Sequence, residues 1–182
     1  ELVLAYRRSY RDTCHKGVLL LDGVLPTLKR MREEAFKLAV ATTKADELAK
    51  ILMNRIGLDK YFDLVTGSKE EARAKPHADI IQFTMRELGF GPTQTALVGD
   101  TPVDVATSRN AGTYSIVVTS GVALGFTILE RIRDSRPDAI ISSLTELPDL
   151  LSTNNWAIYL PTELEFTHFY FQASSYGAYS SQ

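Results

Sequence analysis

The chain has 182 residues, 45% of them hydrophobic, a size and apolar content that suit one compact domain with a real core. Its formal charge of −2 comes from 22 acids set against 20 bases, so no basic surface argues for nucleic acid or for an anionic membrane. The single cysteine, Cys14, excludes an internal disulfide and a thiolate metal cage and fits a reducing, cytoplasmic setting; no stretch approaches the roughly 18 apolar residues that span a bilayer.

In chain order, residues 1–20 read as helical or irregular, and "ELVLAYRRSY" lacks the long apolar core of a secretory signal. "LPTLKRMREEAF" reads as an amphipathic helix with Leu25, Leu28, Met31 and Arg32 along one flank. From residue 37 an apolar, β-rich run alternates with a polar turn and a segment of helical spacing. "KLAVAT" (37–42) is the first such strand. Its helix, "KADELAKILMNRIG", places Leu48, Ile51, Leu52 and Ile56 on one face before Gly57 ends it. "YFDLVTG" is the second strand, and the charged loop "SKEEARAK" leads to a helix predicted to begin near Pro76, with Ile80, Ile81, Thr84 and Leu88 inward. "TALVGD" is the third strand, followed by a helix from Thr101 and Pro102 to Ala111 and Gly112; "YSIVVTSG" and "DAIIS" bring the strand candidates to five. The expected fold is α/β, a Rossmann-like parallel sheet with helices on both faces. Residues 153–182 change character, aromatic and rich in Ser and Tyr, and read as an irregular tail outside the repeating unit.

In such sheets ligands bind beyond the carboxyl ends of the strands, which selects Thr42, Thr43, Lys75, Asp100 and Asp104. A hydroxyl at a helix start, an ammonium and an acidic pair suit a phosphoryl group: the hydroxyl and lysine cradle the anion, and carboxylates hold magnesium, which bridges readily to phosphate. Each residue also has a plain structural reading. Thr101 and Asp104 fit the N-cap and third position of a capping box, so Asp104 can simply start a helix. Thr43 and Asp46 form another such pair, in which Thr43 caps and leaves Thr42 as the free hydroxyl; Thr42 alone reads equally as a β-branched strand residue. Lys75, taken alone, is a solvated lysine in a charged loop, and only the constellation argues otherwise. Asp100 is harder to dismiss, because with Thr101 available a second capping carboxylate is not needed. His77 reads as a surface or helix-start residue, and neither His15 nor His168 has a partner at metal-ligand spacing.

These motifs resemble the haloacid dehalogenase superfamily and, within it, the phosphoglycolate phosphatase-like branch. "LAVATTK" is similar to the second motif of that family, "AKPHAD" to its third and "LVGDTPVD" to its fourth, and the resemblance runs over roughly residues 20–150. It implies phosphate-binding roles for Thr42, Thr43 and Lys75, a magnesium-ligand role for Asp100 and a supporting acid in Asp104, grouped with it at the metal. It also implies a magnesium-dependent hydrolase of small phosphorylated metabolites acting through an aspartyl-phosphate, with no nucleic-acid or membrane partner. The exact substrate and the oligomeric state are left open.

One family feature is absent. Members attack phosphorus with the first aspartate of a DxDGT-type motif on their first strand, and no such motif exists here. In "LLLDGVL", Leu20 would stand at the nucleophile's place; this stretch reads instead as the turn by which the chain enters the core from a helical cap. The expected organisation is therefore a cap remnant in 1–20, a core lacking its first strand in 21–152 and the tail in 153–182. A missing middle strand leaves an apolar slot with unpaired backbone edges. "WAIYL" or "LEFTHFYF" could fill it, with strand propensity as the only support. An inactive fragment that binds phosphate or a partner is the alternative function. A receiver-type signalling module is disfavoured because receivers place their acidic pair before the Thr and Lys, whereas Asp100 follows both.

Overall fold

The computed structural model describes residue 10, 13, 18, 20–69, 71–119, 126–152 and 168–171. The readings of "WAIYL" and of most of residues 1–20 lie outside these residues.

The five expected strands are present, each followed by a helix. Helix α1 (Val24–Glu33) leads into β1 (Lys37–Ala45), then α2 (Asp46–Arg55), β2 (Leu64–Ser68), α3 (Asp79–Leu88), β3 (Thr95–Gly99), α4 (Pro102–Ala111), β4 (Tyr114–Val118), α5 (Phe126–Asp134), β5 (Ala139–Ile141) and α6 (Leu147–Ser152). A sixth strand, β6 (His168–Phe171), follows. The sheet order is β2-β1-β6-β3-β4-β5, and every pairing is parallel.

Period-two alternation sorts the strand residues between the two faces. Leu38 and Val40 of β1, Ala96 and Val98 of β3, and Ile116 and Val118 of β4 join a cluster that α1, α2 and α6 close with Leu28, Met31, Met53 and Leu151. Ala39, Ala41 and Leu97 face the opposite way, against Ile80, Ile81 and Met85 of α3 and Ala111 of α4. Both faces of the middle strands are thus apolar, as a sheet covered on two sides requires. Each large side chain fully buried there contributes about 1.5–3 kcal/mol.

The tail differs from its irregular reading at four residues. His168–Phe171 pairs with β1 from Lys37 to Val40 and with β3 from Thr95 to Val98, filling the slot between them. The physical reason is the one that made the slot a liability: two rows of unpaired N–H and C=O groups template any extended segment that reaches them.

Three local expectations also shift. Gly23, with φ +85°, sets the start of α1 in a conformation that L side chains avoid, so Val24 and Thr27 face inward while Leu25 is 39% exposed. A Cβ on Gly23 would also lie 2.6 Å from Cγ2 of Thr145. Strand β1 runs on to Ala45, so Thr43 is exposed and caps no helix; the carboxylate of Asp46 instead accepts from Gly67 N at 2.9 Å and Lys50 Nζ at 2.7 Å. Helix α3 begins at Asp79 rather than near Pro76, because the Asp79 carboxylate is turned back to accept from Arg73 N, Nε and Nη2 at 3.0, 3.1 and 2.8 Å.

Candidate active site

Register places the candidate residues. Val40 and Val98 both pair with Phe171, so Thr42 and Asp100, two positions further on, stand level on either side of β6. Two strand spacings separate their backbones by about 10 Å.

Lys75 ties the two sides together. Its backbone lies on the turn before α3, but its side chain is only 2% exposed. The ammonium donates to Ala41 O, one residue before Thr42, at 3.2 Å and to Asp104 Oδ1 at 3.0 Å. The solvated reading of this lysine therefore does not hold. An ammonium taken from water needs a matched partner, and a 3%-exposed carboxylate supplies it.

Asp104 is fixed from its other side by the capping box. Its Oδ2 accepts from Thr101 Oγ1 at 2.6 Å and Thr101 N at 3.2 Å, while Asp104 N donates to Thr101 Oγ1 at 3.3 Å. Pro102 supplies a preset φ and no unpaired N–H at the first helical position. Gly99 ends β3 under this carboxylate; a Cβ there would lie 2.6 Å from Asp104 Cγ. The capping-box reading and the supporting-acid reading thus describe the same side chain, with both oxygens engaged by the protein's own donors. Asp100 is half-buried at the strand end.

Magnesium fits this donor set only in a restricted way. Among the described residues no group of three His, Cys, Asp or Glu side chains converges, so the protein offers Asp100 with Asp104 behind it. One carboxylate plus the oxygens of a phosphate is a normal way for magnesium to be held.

Thr42 is 3% exposed, and its Oγ1 accepts from Lys44 N at 3.2 Å. Lys44 extends over the ring of Tyr10, its Nζ 4.8 Å from the centroid. A cavity of about 60 Å³ opens beside Thr42, Thr43 and Lys75, and is walled on its far side by Thr66 and Lys69. Thr66 is 2% exposed and its Oγ1 has no hydrogen-bond partner among the described residues. Lys69 sits on the face of Phe83, 3.5 Å from the centroid. Nearby, burial pushes the Asp46 carboxyl up, but the Lys50 ammonium, the Gly67 N–H and the charge of Lys69 outweigh it and hold the group below its usual range. Sequence reasoning did not single out Tyr10, Lys44, Thr66 or Lys69; a threonine inside "DLVTGS" carries no local sign that its hydroxyl will lack a partner.

Comparison with known proteins gives a consistent result. The family model described as "Haloacid dehalogenase-like hydrolase" matches residues 1–118. Pyrophosphatase PpaX of Halalkalibacterium halodurans is 31% identical over 153 residues, covering 83% of this chain and 68% of that protein. The phosphoglycolate phosphatase of Shigella boydii is 29% identical over 142 residues, covering 78% of this chain and 55% of its own length. A haloacid dehalogenase-like family hydrolase from Streptococcus pneumoniae superposes with a TM-score of 0.68 at 25% identity, over 81% of this chain and 67% of that one. The chain thus spans between about half and two thirds of the length of these relatives.

Proposed function

Since this chain belongs to the haloacid dehalogenase-like hydrolase family, we propose that its site binds the phosphoryl group of a small phosphorylated metabolite, as part of a phosphoric monoester hydrolase. The observation that carries the proposal is Lys75, a buried cation anchored on the carbonyl beside Thr42 and on the acid behind Asp100. Thr42, Thr43 and Lys75 line one strand-end pocket, and the Lys75 ammonium reaches from it to Asp104.

Each residue has a distinct task. Thr42 donates its hydroxyl proton to a phosphoryl oxygen and fixes the orientation of the group. Thr43, exposed at the rim, adds a hydroxyl for an outer oxygen. Lys75 balances charge on the transferring group, and Asp104 holds the ammonium where it is needed. Asp100 carries the cation. Magnesium, which Asp100 would hold, would supply charge neutralisation on the phosphoryl oxygens. Positioning and charge account for most of catalysis in phosphoryl transfer, and these residues supply both. The attacking group is not among the described residues. The relatives' names favour pyrophosphate or phosphoglycolate as substrate, and a reducing, cytoplasmic setting suits a chain with one cysteine.

A second reading, phosphate binding without turnover, is favoured by one observation. The middle strand of this sheet is His168–Phe171, and it contains no aspartate. Assay with p-nitrophenyl phosphate separates the two. Magnesium-dependent release that Asp100→Ala abolishes supports the hydrolase; saturable phosphate binding with no release by folded protein supports the binding module. Binding that Lys75→Met and Thr42→Val leave untouched would refute both.

A further inference from the structure

We propose that Asn110, at the opposite end of α4 from Asp104, is a positioning residue for the phosphoryl site: its amide holds the Pro76 carbonyl and so fixes the turn from which Lys75 reaches inward. This rests on the reading of Lys75 as the cation of that site.

A lysine is a poor fixture by itself. Its four-carbon stem is flexible, so the ammonium stands where the two ends of the side chain are held. The outer end is held by Asp104 Oδ1 at 3.0 Å and Ala41 O at 3.2 Å. The backbone end lies in a turn whose residues Arg73, Ala74, Pro76 and His77 are exposed, and which closes on itself with His77 N donating to Ala74 O at 3.1 Å. An exposed turn of this kind belongs to the easily opened part of a structure unless something else restrains it.

Two contacts do so, and they act differently. Arg73 and Asp79 clasp each other within six positions of one another, which sets the width of the turn and its junction with α3. That clasp does not relate the turn to β3 or α4. Asn110 supplies the missing reference: from outside the turn and α3, its Nδ2 donates to Pro76 O at 2.9 Å.

Helix α4 is a suitable ruler for this purpose. Asp104 lies in its first turn and Asn110 in its last, six residues and therefore about 9 Å apart along the axis. One rigid element thus grips the Lys75 ammonium at one end and the carbonyl next to the Lys75 backbone at the other. The far end of the helix is itself secured. Arg109 Nη2 donates to Ser135 O at 2.7 Å, Ser108 Oγ to Thr113 O at 2.9 Å, and Ala111 packs with Ile80, Ile81 and Met85 of α3. A charged group is placed accurately when the shell behind it is fixed in this way.

The choice of residue points the same way. Asparagine is a weak helix former, because its amide competes for backbone partners, and at an exposed position alanine would serve α4 better. Here the amide reaches a backbone carbonyl 34 positions away instead.

The test is calorimetric titration of the full chain with inorganic phosphate, magnesium present, over a double-mutant cycle of Asn110→Ala and Lys75→Met. Asn110→Ala should weaken phosphate binding about tenfold in the wild-type background and have no further effect once Lys75→Met has removed the ammonium. Its melting temperature should stay close to wild type, since the better helix propensity of alanine offsets one exposed hydrogen bond. Exchange of the His77 amide should accelerate while that of Asp104 does not. Asn110→Leu, close in shape and without a donor, carries the same cycle if the alanine variant melts early. An equal loss in both backgrounds would mean that Asn110 acts apart from Lys75, and no loss in either would mean that the turn needs no outside tether. Both results overturn the inference and leave the phosphoryl site standing, provided that Lys75→Met alone weakens binding. Phosphate affinity that Lys75→Met leaves unchanged would overturn that underlying reading instead.

Discussion

A lysine side chain with 2% of its surface in water exists only because something equally buried answers it. Removing either member of the Lys75–Asp104 pair leaves an uncompensated charge in the interior, a change that costs about 3–5 kcal/mol. Asp104→Ala should therefore destabilise the protein by about that amount in urea unfolding, while Thr101→Ala, which removes a cap and one donor to the same carboxylate, should cost about 1 kcal/mol. Equal losses for the two variants would show that the pair adds nothing beyond the cap. Gly99 belongs to the same unit. Its Ala variant would push a methyl to 2.6 Å from Asp104 Cγ, so phosphate affinity should fall at least tenfold together with stability. An unchanged affinity would mean that Asp104 moves without consequence for Lys75.

Acid should act on this region through Asp79. The paired Arg73 guanidinium holds its carboxyl at about 2, below the ordinary 3.8. A depressed folded value contributes stability above the unfolded value, and that contribution is lost as pH falls from about 4 towards 2. In wild type the 71–78 turn should loosen across that window, followed by amide exchange at Arg73. Asp79→Asn should show the looser turn already at neutral pH, with little further change on acidification.

At the level of elements, β6 is the strand on which the sheet depends. Phe169→Pro removes one ladder donor between β1 and β3 and leaves a buried carbonyl unpaired, costing about 1–3 kcal/mol or more. Hydrogen exchange at Ala39 and Leu97, residues of the flanking strands, should accelerate in that variant. Unaltered protection there would show that the two strands do not need the third. This strand also marks where sequence reasoning stopped. Alternating apolar runs were sufficient to place β1 to β5 and α1 to α4, because each run carries its own period and its own turn; α5 and α6 were not singled out. The Thr101–Asp104 cap was legible for the same reason, being a pattern of three residues' span. Lys75 was legible only through its companions. Nothing in "SKEEARAKPH" distinguishes a buried lysine from a solvated one, since its burial is made by Ala41 and Asp104 from distant parts of the chain. β6 was less legible still. Strand propensity says that a segment can extend, but the slot that selects it is a property of two other strands.

For the whole molecule, the sheet order means that β2 and β1 form one block and β3, β4 and β5 another, and no ladder joins β1 to β3 directly. Besides the helices packed across both faces, two features link the blocks within the sheet and at its edge: β6 through the middle, and the Lys75 side chain at the carboxyl edge. If both bear on stability, thermal unfolding should be a single transition with equal calorimetric and van't Hoff enthalpies. Two resolved transitions would show that the blocks stand alone.

A strand at the centre of a parallel sheet that is also the last of the described elements to be synthesised has a temporal cost. A nascent chain folds from its N-terminus as it leaves the ribosome, at roughly 5–20 residues per second. The two blocks can form early, but until His168–Phe171 emerges they face each other across an open gap with bare edges. During those seconds this protein is exposed to adventitious strand pairing with its neighbours, and its yield in a crowded translation mixture should depend on chaperones that cover such edges.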